Sequence, residues 1–143
     1  MVKVRLLSGL VVVMLMFSLV GCSKDLNSIN DFSKFSSLKQ DETNKIEVEF
    51  DNYSGTPFYF TIEAQDDIDE IMNIIFTSSF KKMRNEVNGG DHTSITIIQG
   101  ETKYKLHVFM NKEGKYYYSF ETTELQDKII ELAREAGAFD GVE

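Results

Sequence analysis

The chain has 143 residues, with 15 Lys and Arg against 23 Asp and Glu, for a net charge of −8. An acidic surface is repelled by DNA, RNA and anionic headgroups, which excludes a nucleic-acid partner and argues that charge does not hold the protein on a bilayer. No tryptophan, one proline, 11 Phe and 6 Tyr leave ample apolar mass for one core.

Lys3 and Arg5 make a basic start, and Leu6 to Val20 is then apolar apart from Ser8, Gly9 and Ser18. This is a charged n-region followed by an apolar h-region of signal-peptide length. The run of 15 residues falls short of the roughly 20 that span a bilayer as a helix. It closes on Leu19-Val20-Gly21-Cys22, with a small residue before the only cysteine.

Leu19-Val20-Gly21-Cys22 resembles the lipobox of bacterial lipoproteins at every position. The resemblance covers residues 1–22 and implies a diacylglyceryl thioether on Cys22, with cleavage just before it. Residues 1–21 are then a lipoprotein signal peptide, and Cys22 is the first residue of the mature chain. Two acyl chains anchor stably where one does not. The lipid consumes the only thiol, so no disulfide, cysteine nucleophile or cysteine-ligated metal is expected. The mature balance is 13 basic against 23 acidic side chains, or −10.

Residues 22–44 read as the lipidated cysteine and a flexible tether, rich in Ser, Asn, Asp and Lys. Phe32 and Phe35, three apart, also suit a short amphipathic turn that packs on the domain or touches lipid.

The folded domain is expected over 45–143. Ile46, Val48 and Phe50 alternate with Glu47 and Glu49, and Phe58, Phe60 and Ile62 alternate with Tyr59, Thr61 and Glu63. These are two half-buried strands joined by the turn residues 51–57. Asp66 is placed to cap a helix, with Asp69 at the reciprocal position of a capping box. Ile68, Ile71, Met72, Ile75 and Phe76 make its apolar stripe, and Lys81, Lys82 and Arg84 suit its far end. Three strands follow, around 92–98, 103–109 and 115–120, separated by turns at 99–102 and 111–114. Thr123 and Gln126 predict a second capped helix with Leu125, Ile129, Leu132, Ala133 and Ala136 inward and Gly137 as its stop. The order ββαβββα gives an α+β fold, one antiparallel sheet with both helices on one face. This order and the Gly-Lys-Tyr-Tyr-Tyr run at 114–118 resemble small uncharacterised domains on lipoproteins of low-GC Gram-positive bacteria. That resemblance spans about 45–136 and brings no function or catalytic residue.

Chemistry-bearing motifs are few. His92 and His107 are the only histidines, and with Asp91 they are a weak metal-ligand set beside the plainer reading of surface histidines. Asp66, Asp67, Asp69 and Glu70 lack the glycine and the spacing of a calcium loop, and helix-start electrostatics accounts for them. No nucleophile elbow, phosphate-binding loop or zincin helix occurs. No cofactor, metal or enzyme activity is expected. Tyr59, Ile98, Phe109 and Tyr117, rimmed by Lys103, Lys105, His107 and Lys115, are the candidate partner surface on the outer sheet face. The competing expectation is that the leader, through Phe32 and Phe35, covers that face. The expected role is a membrane-anchored extracytoplasmic lipoprotein that binds another envelope or secreted protein. The alternatives are a small-ligand or cation binder and, less favoured, an envelope hydrolase.

Overall fold

The computed structural model describes residues 26–84 and 92–141. Cys22 and Asp91 lie outside them. Two single 3-10 turns, Ile29–Asp31 and Ser33–Phe35, precede the strands. They are followed by β1 (Lys45–Phe50), β2 (Phe58–Ile62), α1 (Gln65–Thr77), β3 (Phe80–Lys82) and β4 (Ser94–Gln99). The chain then forms β5 (Thr102–His107), β6 (Met110–Glu113), β7 (Tyr116–Phe120) and α2 (Glu124–Glu135). The molecule is α+β, with antiparallel strands packed against two helices. The order ββαβββα holds with two short strands added, β3 and β6.

The sheet divides in two. One has the order β2-β1-β4-β5 and the other β3-β7-β6, with every pairing antiparallel. The first follows from alternation. Ile46, Val48 and Phe50 are buried on one face of β1, beside Ile95 and Ile97 of β4 and Tyr104 and Leu106 of β5. The division follows from one buried amide. Asn111 has no exposed surface; its Oδ1 accepts the His107 N–H at 3.0 Å and its Nδ2 donates to the His107 C=O at 2.7 Å. A side chain thus occupies the hydrogen-bonding groups that a neighbouring strand would use. The chain bends at Val108 and Phe109, and β6 pairs with β7. The turn expected at 111–114 contracts to Gly114 and Lys115, with Gly114 at φ +58°.

Helix α1 ends earlier than the cations at 81–84 suggested. Thr77 Oγ1 donates to the Asn73 C=O at 2.8 Å, and Ser78 Oγ donates to the Ile74 C=O at 2.6 Å. These hydroxyls satisfy the last carbonyls and stop the helix. Phe80 then enters the second sheet opposite Phe120, with ring centroids 4.7 Å apart. Asp66 sits in the first turn of α1; the N-cap position belongs to Ala64. Thr123 does occupy the N-cap of α2, but its hydroxyl donates to Asp127 Oδ2 at 2.9 Å and the box with Gln126 does not form. Gly137 ends the helix as expected, but Ala136, expected inward, is the exposed C-cap because the helix stops at Glu135. Gly137 adopts φ +89°, with Gly137 N–H to Arg134 C=O at 3.1 Å and Ala138 N–H to Ala133 C=O at 2.9 Å, a Schellman closure. Phe139 folds back edge-on to Phe50, with centroids 5.6 Å apart.

The largest difference concerns the leader. From Leu26 onward it is not a tether: Leu26, Ile29, Phe32, Phe35 and Leu38 are all buried in the same core as the sheets and helices. Phe32 meets Phe35, Phe80 and Tyr118 edge-on at centroid distances of 6.0, 4.9 and 5.6 Å. Asp31 Oδ2 accepts the N–H groups of Asn27 at 2.9 Å and Ser28 at 3.0 Å. Asn30 Nδ2 donates to the carbonyls of Phe35 at 2.9 Å and Leu38 at 3.0 Å. Buried Gln99 ties the strap to β4, donating to the Lys39 C=O and to Thr43 Oγ1 at 3.0 Å while accepting the Lys39 N–H at 3.2 Å. Five buried apolar side chains offset the entropy of ordering this segment, which a polar tether could not do.

Candidate partner surface

The eight residues expected to form one surface are divided among the two sheets, the bend between them and the β6–β7 turn. On the first sheet the face turned away from the core is a grid fixed by register. Tyr59, Glu49, Ser94 and His107 make one row across β2, β1, β4 and β5. Thr61, Glu47, Thr96 and Lys105 make the next, and Lys45, Ile98 and Lys103 the third. Five of the eight candidates therefore assemble: Tyr59, Ile98, Lys103, Lys105 and His107. Tyr59 is 67% exposed and stands out from the edge strand β2.

The other three are elsewhere. Phe109 is half-buried against the core, beside Phe50, Thr93 and Ile129 around a void of about 10 Å³. It cannot contribute to an outer patch, because the chain bends there. Tyr117 lies on β7 in the second sheet, with Lys112 Nζ 5.5 Å from its ring centroid. Lys115, in the β6–β7 turn, stands 5.2 Å from the centroid of Tyr116. The leader leaves the outer face of the first sheet uncovered: its contacts run to Gln99 and Tyr104, which point inward, and to Phe80, Tyr118, Asn111 and Glu113 of the second sheet.

The basic rim expected around the surface is largely neutralised. Lys105 pairs with Glu49 at 3.1 Å, and Lys103 and Lys45 pair with Glu47 at 3.6 and 3.4 Å. Such exposed pairs add little stability but cancel the local field. The two glutamates were visible in the sequence as the polar half of β1. Their placement between Tyr59 and the lysines depends on β1 lying in the centre of the sheet. Partial burial holds His107 below the usual histidine value, aided by repulsion from Lys34 and Lys105 and opposed by Glu49.

Beside this face a cleft of about 210 Å³ is lined by Glu49, Asp51, Gly55, Thr56, Pro57 and His92. Asp51 is engaged there: Oδ1 accepts the Tyr53 N–H at 2.9 Å and Oδ2 the His92 N–H at 3.5 Å. Among the described residues no three His, Cys, Asp or Glu side chains converge as a metal set. The acidic run at the start of α1 has a tertiary role that helix-start electrostatics did not cover. Lys128 of α2, with its side chain 11% exposed, bridges Asp67 at 3.0 Å and Glu70 at 2.7 Å. Its hydrogen bonds to Glu70 and Asp67 raise its pKa above the ordinary lysine value. This ammonium pins the two helices together. No described helix is long and apolar enough to cross a membrane.

Comparison with protein-family models, with curated proteins and with solved structures finds no match to the chain.

Proposed function

We propose that the protein is a membrane-anchored extracytoplasmic lipoprotein whose domain is a non-catalytic binding module for another envelope or secreted protein. The observation that carries this reading is the ordered series Lys3 and Arg5, the apolar run 6–20, and Leu19-Val20-Gly21-Cys22. The Tyr59 face supports the binding role. A large, stiff aromatic stands exposed on an uncovered sheet, amid paired charges that set orientation more than affinity. Immunity or inhibitor proteins and accessory subunits of an envelope machine both fit this description.

A photocrosslinking residue at Tyr59, introduced in intact cells, tests the binding role. Capture of one protein species, lost when Lys105 and Lys103 are changed to Glu, supports it. No capture at Tyr59 or at neighbouring Thr61 and Thr96 contradicts it.

The second reading, a small-ligand or cation site, draws on the cleft at Glu49, Asp51 and His92. At about 210 Å³ it falls below the roughly 300 Å³ at which ordinary ligand pockets begin, so it suits an ion or a very small group. Calorimetry with divalent cations separates the two readings: binding abolished by Asp51→Asn would favour this one.

A further inference from the structure

We propose that the outer face of the second sheet rests on the anionic bilayer surface, so that the domain is held in one orientation with its first sheet facing away from the lipid. The inference rests on lipidation at Cys22 and adds which side of the domain meets the membrane.

The leash to the lipid is short. Only Ser23, Lys24 and Asp25 separate Cys22 from Leu26, which is 5% exposed and part of the core. Four Cα steps at about 3.5 Å each reach at most about 14 Å. A domain of this size is roughly 35 Å across, so its leader end stays close to the headgroups while the far side cannot reach them. The stretch of the leader at 32–34 packs on the second sheet, while 37–43 meets the first. Phe32 lies on Phe80 and Tyr118, the Ser33 N–H donates to Glu113 Oε1 at 3.2 Å, and Lys34 Nζ donates to Asn111 Oδ1 at 3.4 Å. A sheet layer is about 10 Å thick, so the leash can pass its edge and bring the lipid level with the outer face.

The composition of the outer face fits the same contact. Strand register places Lys81, Ser119 and Met110 in one row of that face. The next row holds Tyr117 and Lys112, with Met83 beside them through its N–H to the Tyr117 C=O at 2.8 Å. These two rows carry two lysines, two methionines and a tyrosine, and no carboxylate. Lys81 and Lys112 are exposed, and Met83, Met110 and Tyr117 are half-buried. Lys115 stands at the hairpin tip with its ammonium on the ring of Tyr116, which belongs to the opposite face, and exposed Glu121 continues the outer face one row past Ser119. The whole chain is acidic, and the lysines of the first sheet are paired with Glu47 and Glu49. The second sheet is the local exception, with a chemistry suited to the interface: lysines toward anionic headgroups, and methionine and tyrosine at the acyl boundary. Each lysine near an anionic surface raises partitioning about fivefold.

The test uses the full lipidated chain in vesicles of phosphatidylcholine with phosphatidylglycerol. A fluorophore is placed on a single added cysteine, Lys115→Cys or Tyr59→Cys, with headgroup spin-labelled lipid as quencher. The lipid on Cys22 leaves the added thiol as the only one free. The expected result is quenching at 115 at least threefold stronger than at 59, with the ratio reduced but still above one in 1 M salt or in Lys81→Glu/Lys112→Glu, where only the leash holds the orientation, and with circular dichroism unchanged. Equal quenching at both positions, or stronger quenching at 59, in a chain that still sediments with the vesicles overturns the orientation and leaves the anchor intact. A chain that carries no lipid by mass and does not sediment removes the anchor itself, and the orientation with it.

Discussion

Phe32→Ala is the sharpest probe of the leader, because it separates a structural strap from a tether. Phe32 has no exposed surface and contacts three aromatic rings, one from the leader and two from the second sheet. Truncating a Phe in such a site costs about 3–5 kcal/mol, the lost transfer energy plus the cavity left among rings that cannot close over it. Domain stabilities run at about 5–15 kcal/mol, so this one change removes a large share. With a urea m-value of about 1.5 kcal/mol/M, the unfolding midpoint falls by roughly 2–3 M. The assay is urea unfolding of residues 22–143 carrying Cys22→Ser, followed by circular dichroism, beside the exposed control Gln40→Ala, which should move by less than about 0.5 kcal/mol. A Phe32→Ala loss under about 1 kcal/mol would refute the strap. The same reasoning extends to the whole segment. Its five buried side chains contribute about 8–15 kcal/mol at 1.5–3 each, so residues 45–143 alone should fail to fold.

Asn111→Ala leaves the His107 N–H and C=O unpaired at the sheet break and should cost about 2–4 kcal/mol, with faster amide exchange at His107 as its local mark. Lys128→Met breaks the bridge between the helices at a cost of about 1–2 kcal/mol near neutral pH. Because folding raises the Lys128 pKa, that contribution is complete below about pH 10.4 and fades as pH climbs past it. Wild type and variant should therefore converge in alkaline unfolding curves. His107 titrates in the opposite sense. Its folded pKa lies below the unfolded value of about 6.5, so its contribution is present above that pH and is lost as pH falls through the window beneath it. An NMR titration of its ring with a midpoint at or above 6.5 would contradict the burial seen here.

The strands of the first sheet were legible because each has one buried face, and period-two alternation reads directly as a strand. Even the register of β4 and β5 follows from the turn at Gly100, which sets Ser94 opposite His107. The leader was not legible by the same means. Leu26, Ile29, Phe32, Phe35 and Leu38 recur strictly every third residue, a spacing that matches neither strand nor α-helix. It matches the three-residue turn of a 3-10 helix, which stacks i and i+3 on one side. The strand β6, Met-Asn-Lys-Glu, has no apolar alternation, and its Asn111 is a turn residue by type that the fold buries. The candidate surface split for that reason. A meander continued through Asn111 would have kept Phe109 and Tyr117 on the same outer face as Ile98, whereas the sheet break separates them. The charge pairing over Glu47 and Glu49 was hidden because strand order cannot be read from the residues of one strand.

The mass of the chain extracted from its native membrane is the most direct measurement. The account predicts a mature protein that begins at Cys22 and carries a diacylglyceryl group on that residue, and that is lost from the membrane in Cys22→Ala. A chain that begins at Met1, or at a residue other than Cys22, with no added lipid would contradict it.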